Sequence, residues 1–185
     1  MNRALVVIDV QESFRRLPDW HLASQPDIVG QVNRLVDLAR AQDDLVVWVL
    51  GARAGSGTVF DPALGHVRLM DGLDPAADEP VLVKSAHNAF TTTNLHQLLT
   101  RRGVRELTVC GIKTEQCCET TTRVAADLGF DVTFAIDATA TCPIPDPSGG
   151  PSLGVADIIE RTRYALSGRF ATVRTVGELT GAAVR

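Results

Sequence analysis

Along this chain the hydrophobic positions fall into short continuous runs, separated by stretches in which they recur at helical spacing. Arg3 to Ile8 is nearly unbroken apolar sequence, and Leu45 to Leu50, Val81 to Val83, Leu107 to Cys110, Asp131 to Ile136 and Phe170 to Val173 read as further short strands. Unbroken apolar strands are what a parallel sheet covered on both faces requires. Between them, Ile28, Val32, Leu35, Val36 and Ala39 follow Asp27 at helical spacing, and Leu95, Leu98 and Leu99 mark the inward face of a helix over 94–102. A further amphipathic pattern begins after Thr114, and Ser152 caps a helix through Leu166. This alternation predicts an α/β fold of one domain over residues 1–185. It is a three-layer α/β/α arrangement around a doubly wound, mostly parallel six-stranded sheet with right-handed crossovers.

The segment up to Trp20 reads as a loop. So does 51–80, which is rich in Gly, Pro and Asp apart from a brief apolar interruption near Val67 to Met70, and a loop of that length suits the wall of a site. In doubly wound folds ligands sit outside the carboxyl ends of the strands. Asp9, Lys84 and the turn that carries Cys117 each follow such an end, so groups far apart in sequence share one rim.

The stretch from Leu107 to Phe130 carries the most chemistry. It reads as a strand, a turn at Gly111 and a helix with Thr114 as N-cap and Glu115 in the first turn. Cys117 then takes the third helical position, where backbone N–H groups lack intrahelical partners. Those groups and the positive end of the helix dipole favour a thiolate and can bind an oxyanion. Taken alone, the stretch also reads as core, with Cys117 and Cys118 as small hydrophobes at the root of a stripe formed by Thr121, Val124, Ala125 and Leu128. Asp9 alone reads as a turn or helix cap, and Lys84 alone as a solvated strand end.

Composition narrows the classes. The 185 residues are 45% hydrophobic and 22% charged, with a formal net charge of −4, so no basic footprint marks a nucleic-acid or anionic membrane partner. No apolar run is long enough for a membrane span or a signal-peptide core, which makes a cytoplasmic protein the expectation. Cys110, Cys117, Cys118 and Cys142 lack C-x-x-C spacing and read as reduced thiols, without a disulfide framework or zinc site.

Three segments together resemble one family. G-I-K-T-E-Q-C-C, ending at Cys118, fits the G-x-x-T-x-x-C signature of the isochorismatase-like cysteine hydrolases. V-V-I-D-V-Q-E-S-F resembles their D-x-Q-x-x-F strand end, and V-L-V-K-S-A-H-N-A-F-T-T-T-N-L is similar to their strand-end lysine followed by S-A-F and T-x-L. The resemblance implies a triad of Asp9, Lys84 and Cys117, the T-x-x-C spacing selecting Cys117 over Cys118. It further implies an oxyanion hole from the backbone N–H groups of Lys113 and Cys117, beside a non-proline cis peptide between Ile112 and Lys113. Phe14 corresponds to the aromatic of the first motif, as a substrate contact or as core. The implied activity is cleavage of a small-molecule amide C–N bond through a thioester, in a homo-oligomer, either dimer or tetramer.

Nicotinamidase-type relatives resemble one another in a D-x-H motif after the second strand. Here that stretch is V-L-G-A-R-A-G-S-G, His66 is the single histidine of the loop, and His21, His87 and His96 fit no ligand spacing. No metal and no other cofactor is therefore expected. Lys113, where relatives usually carry a small residue, and Asn88, in place of the serine of S-A-F, depart from the pattern and bear on the choice of substrate; the side chains of Lys113 and Arg53 either point to solvent or project a charge over the pocket. Two other readings stand beside the amidohydrolase. One is vinyl-ether hydrolysis by acid catalysis from Asp9, and the other is a binding or redox-sensing module whose Cys117 and Cys118 are oxidised.

Overall fold

The computed structural model describes residues 2–181. Six strands form one sheet: β1 (Arg3–Ile8), β2 (Leu45–Gly51), β3 (Val81–Lys84), β4 (Glu106–Ile112), β5 (Asp131–Ala140) and β6 (Thr172–Arg174). Their order is β3-β2-β1-β4-β5-β6, and every neighbouring pair is parallel, so the sheet is wholly rather than mostly parallel. The chain starts in the middle, winds outward through β2 and β3, then returns to the far side of β1 to lay down β4, β5 and β6. The winding reverses between β1 and β4, where such a fold opens a crevice.

Alternation within buried strands builds two cores. Ala4, Val6 and Ile8 of β1 join Val47, Val49 and Val109 on one face, under Leu95 and Leu99 of α3 (Leu95–Arg101), Ala125 of α4 (Glu119–Asp127) and Leu166 of α5 (Val155–Leu166). Leu5 and Val7 join Val46, Trp48 and Cys110 on the other, under α2 (Ile28–Ala41) and Val176 of α6 (Val176–Thr180). Asp27 caps α2, its carboxylate accepting the Gly30 N–H at 3.2 Å.

Several boundaries differ from the sequence reading. β5 continues past Ile136 to Ala140 because its register with β4 slips: Val109 pairs with Phe134, but Gly111 pairs with Thr139. Residues 12–15 form a short helix, α1 (Glu12–Arg15), within what read as loop. Gly154, not Ser152, is the N-cap of α5, and β6 begins two residues later than expected. A capping box of Thr175 and Glu178 starts α6, and the Asp137 carboxylate accepts the Val176 N–H at 2.7 Å. Leu128 is exposed and lies outside the buried stripe of its helix, whereas Leu98 is half-buried and packs against the core with Leu95 and Leu99.

The 51–80 segment is stitched to the end of β1. The Ser13 hydroxyl donates to the His66 carbonyl at 2.9 Å, Met70 N–H to Val10 O at 3.0 Å, and Asp71 N–H to the Glu12 carboxylate at 3.1 Å. Among the described residues no helix is long and apolar enough to cross a membrane.

At Gly111 the backbone of β4 lies directly against Ile8 of β1. The glycine φ is +131°, and a Cβ there would lie 1.9 Å from the Ile8 carbonyl oxygen, inside any tolerable contact. Gly111→Ala is therefore expected to cost at least about 3 kcal/mol of stability in denaturant unfolding. A loss below about 1 kcal/mol would show that the strands part there freely.

Candidate active site

Three strand ends and one helix start converge at the reversal point. Asp9 follows β1, Lys84 ends β3, and Cys117 lies in the turn after β4. Lys84 Nζ is 2.7 Å from Asp9 Oδ2 and donates to Cys117 Sγ at 3.3 Å and to the Ala86 carbonyl at 3.1 Å. All three ammonium protons thus have acceptors, as a buried lysine requires. The side chains of Lys84 and Asp9 are 3% and 4% exposed, and Cys117 is 8% exposed. Asp9 Oδ1 is buried and has no hydrogen-bond partner, which leaves one carboxylate oxygen uncommitted.

Charge and burial act together on these groups. Burial pushes the Asp9 carboxyl above its ordinary range, with Lys84 pulling the other way. Burial would lower Lys84, but Asp9 and Cys117 outweigh it and hold the ammonium above its usual value. The Cys117 thiol is pushed up to about 12, first by burial and then by the Asp9 charge, against a smaller pull from Lys84. The resting group is therefore a thiol, and not the thiolate that a helix start by itself favours. Asp9, with its affinity for protons raised, is suited to take the thiol proton.

The backbone around Cys117 also departs from expectation. Lys113, with φ −87° and ψ 150°, occupies the N-cap position, and the peptide bond from Ile112 to Lys113 is cis. Thr114 is instead the first helical residue, and its hydroxyl donates to the Thr139 hydroxyl at 2.9 Å. That places Cys117 fourth rather than third. In an α-helix the fourth N–H would bond to the N-cap carbonyl. Here residues Thr114–Cys118 make a π-helical turn, and the Lys113 carbonyl takes the N–H groups of Gln116 and Cys118, both at 3.2 Å. The Cys117 N–H is left out of that bond.

A cavity of about 210 Å³ opens over this cluster, below the roughly 300–1,000 Å³ of sites for drug-sized ligands. Phe14 lines it while staying 6% exposed, its ring edge-on to Phe60 at 5.1 Å and 6.3 Å from Trp20, so it is both core and wall. Arg53 and Lys113 line it as well. Asn88 does not, because its side chain caps the following turn by accepting Phe90 N–H at 2.9 Å and Thr91 N–H at 3.0 Å. The His66 carbonyl, not its ring, ties the loop to Ser13. Among the described residues no three His, Cys, Asp or Glu side chains gather as a metal-binding group.

The sequence reading assigned no role to Gln11, Gly51 or Phe60. The fully buried Gln11 amide clamps the end of β2: Gly51 N–H donates to Oε1 at 2.7 Å, and Nε2 donates to Gly51 O at 3.0 Å and to Ser13 Oγ at 2.9 Å. A Cβ at Gly51 would sit 3.1 Å from Asp9 Oδ1, so the clamp holds bare backbone against the carboxylate. The only signal for this was the glutamine two residues after Asp9.

Comparison with known proteins is consistent with this arrangement. Residues 3–147 match the Isochorismatase domain. The chain is 36% identical to streptothricin hydrolase of Streptomyces noursei over 148 residues, 80% of this chain and 58% of that protein. It is 26% identical to ureidoacrylate amidohydrolase RutB of Enterobacter sp. (strain 638) over 75% of each chain. The crystal structure of a cysteine hydrolase from Pseudomonas syringae pv. phaseolicola 1448A is 26% identical and superposes with a TM-score of 0.89, covering 97% of this chain and 91% of that one. By the domain match over most of its length and by its wholly parallel three-layer fold, the chain belongs to the isochorismatase family, which includes amidohydrolases.

Proposed function

We propose that the protein is a cysteine hydrolase that cleaves the C–N bond of a small amide through a thioester. The observation that carries this reading is the contact set of Asp9, Lys84 and Cys117, buried at the floor of a small cavity beside the turn that leaves out the Cys117 N–H. Asp9 takes the thiol proton as sulfur attacks the carbonyl carbon, and the C=O electron pair moves to oxygen. The N–H groups of Lys113 and Cys117 receive that oxyanion, and Lys84 balances the negative charge as it passes between sulfur and carboxylate. Collapse breaks the C–N bond, the amine leaving with the proton from Asp9. Water then attacks the thioester while Asp9 takes its proton, and the thiolate departs and is reprotonated. These steps draw on no metal. A relative named as an amidohydrolase and a structural neighbour named as a cysteine hydrolase support the class. Four free, buried cysteines fit a reducing, cytosolic setting.

Ammonia release from a panel of small amides tests the reading. Activity is expected to survive Cys118→Ala and chelator and to fall about a thousandfold or more in Cys117→Ala. Turnover that persists without the Cys117 sulfur would overturn the covalent route and favour acid catalysis from Asp9.

Asp9→Asn separates acidity from catalysis. The Asp9 charge raises the Cys117 thiol and Lys84 lowers it, so removing the carboxylate moves the thiol pKa down from about 12. Iodoacetamide should then alkylate Cys117 faster at neutral pH while amide turnover collapses for want of a base. Parallel loss of both would mean that Asp9 activates the thiol in the resting enzyme.

The acid limb of kcat/KM reports Asp9 itself. Catalysis needs its carboxylate, whose pKa in the fold lies above the 3.8 of an ordinary aspartate, so activity should fall as pH drops through a value higher than 3.8. A limb at or below that value would remove Asp9 as the base.

A further inference from the structure

The cavity carries a charge imbalance that the catalytic steps do not use. Among the described residues its only carboxylate is Asp9, which is committed to Lys84. That leaves Arg53 and Lys113, with His87 as a third basic side chain, on the lining of a protein whose net charge is −4. Among the described residues neither Arg53 nor Lys113 has an ion-pair partner, whereas eight other arginines do. Glu115 and Asp19 act with Lys113 on Cys142, but neither lines the cavity or pairs with Lys113.

The fold roots Arg53 and Lys113 after the two strands that flank the one leading to Asp9. Arg53 follows β2 and Lys113 follows β4, the strands that flank β1, and adjacent strands lie about 4.8 Å apart. Arg53 is held by backbone bonds, its N–H donating to Phe60 O at 2.8 Å and its carbonyl accepting Ser56 N–H at 3.2 Å. The same loop therefore sets both the cation and Phe60, whose ring packs against Phe14. An apolar wall, two unpaired cations and a small volume describe a ligand with a compact hydrocarbon part and an anionic end. A guanidinium fork suits a carboxylate in particular.

Resting on the amidohydrolase reading, we propose that the substrate is a small amide bearing a carboxylate, which Arg53 and Lys113 hold while its carbonyl is presented to Cys117. The charge imbalance also draws anions toward a mouth that the acidic remainder of the surface would otherwise repel. Lys113 thus serves twice, through its backbone N–H toward the oxyanion and through its ammonium toward the carboxylate.

Matched pairs of amides test this: succinamate against butanamide, and phthalamate against 2-methylbenzamide. For the wild type the ratio of kcat/KM should favour the acid of each pair by about tenfold or more, and the ratio should shrink as salt is raised. Arg53→Gln and Lys113→Gln should each move it toward parity, and Arg53→Glu should reverse it. Arg53 is exposed, so its substitution is compatible with folding. Turnover that depends on Cys117 but shows no preference within the pairs would overturn this inference and leave the amidohydrolase reading standing. If no amide is turned over, calorimetric titration of the Cys117→Ala protein decides. Binding of succinamate but not butanamide, lost on adding Arg53→Gln, supports the carboxylate site without the hydrolase, and equal or absent binding of the two removes it.

Discussion

The site depends on one buried ion pair. Asp9 and Lys84 come from strands separated by β2, and both are withdrawn from water. Such a pair is tolerated because every donor on Lys84 is satisfied, by Asp9 Oδ2, Cys117 Sγ and Ala86 O. Losing either partner would leave an uncompensated buried charge, a defect of about 3–5 kcal/mol. The elements around the pair are arranged to keep it dry and aligned. Gln11 pins the end of β2, Gly51 offers bare backbone to the carboxylate, and the stitched loop after β2 brings Phe60 over Phe14.

Burial also decides how the thiol works. A helix start contributes at most about 2 kcal/mol toward an anion. The rise of the Cys117 thiol from 9.0 to about 12 corresponds to roughly 4 kcal/mol in the other direction, so burial and the Asp9 charge outweigh the dipole. The enzyme we propose keeps no standing thiolate exposed to oxidants, and proton transfer to Asp9 generates the nucleophile when substrate is in place. Cys118, wholly buried and with its thiol held well above the usual range, adds nothing to such a site.

The π-helical turn and the Thr114–Thr139 contact belong to the same arrangement. By passing the Lys113 carbonyl to Gln116 and Cys118, the turn excludes the Cys117 N–H from that bond at the residue that bears the sulfur. Thr139 reaches Thr114 because β5 bulges and rejoins β4 beside Gly111. A local irregularity in one strand thereby supports the backbone of the next.

Much of this was legible in the chain itself. Apolar runs such as Arg3 to Ile8 and Leu45 to Leu50 specify buried strands because both faces of a parallel sheet are covered. The spacing from Ile28 to Ala39 specifies a helix because one face must be apolar. The runs Arg3 to Ile8 and Val81 to Val83 lead into Asp9 and Lys84, and Leu107 to Cys110 leads toward the turn of Cys117, which is enough to place the chemistry on one rim. β4 nevertheless runs on through Gly111, where a turn was expected, to Ile112. Tertiary structure alone decided that Thr114 lies inside the helix and Lys113 at its cap, that β5 continues past Ile136, and that Asn88 caps a turn away from the cavity. It also decided that Cys117 rests as a thiol. Hydrophobic periodicity is a local property that each segment carries alone, whereas a register slip, a hydrogen bond between Thr114 and Thr139, or the desolvation of a thiol exists only once distant segments are packed together.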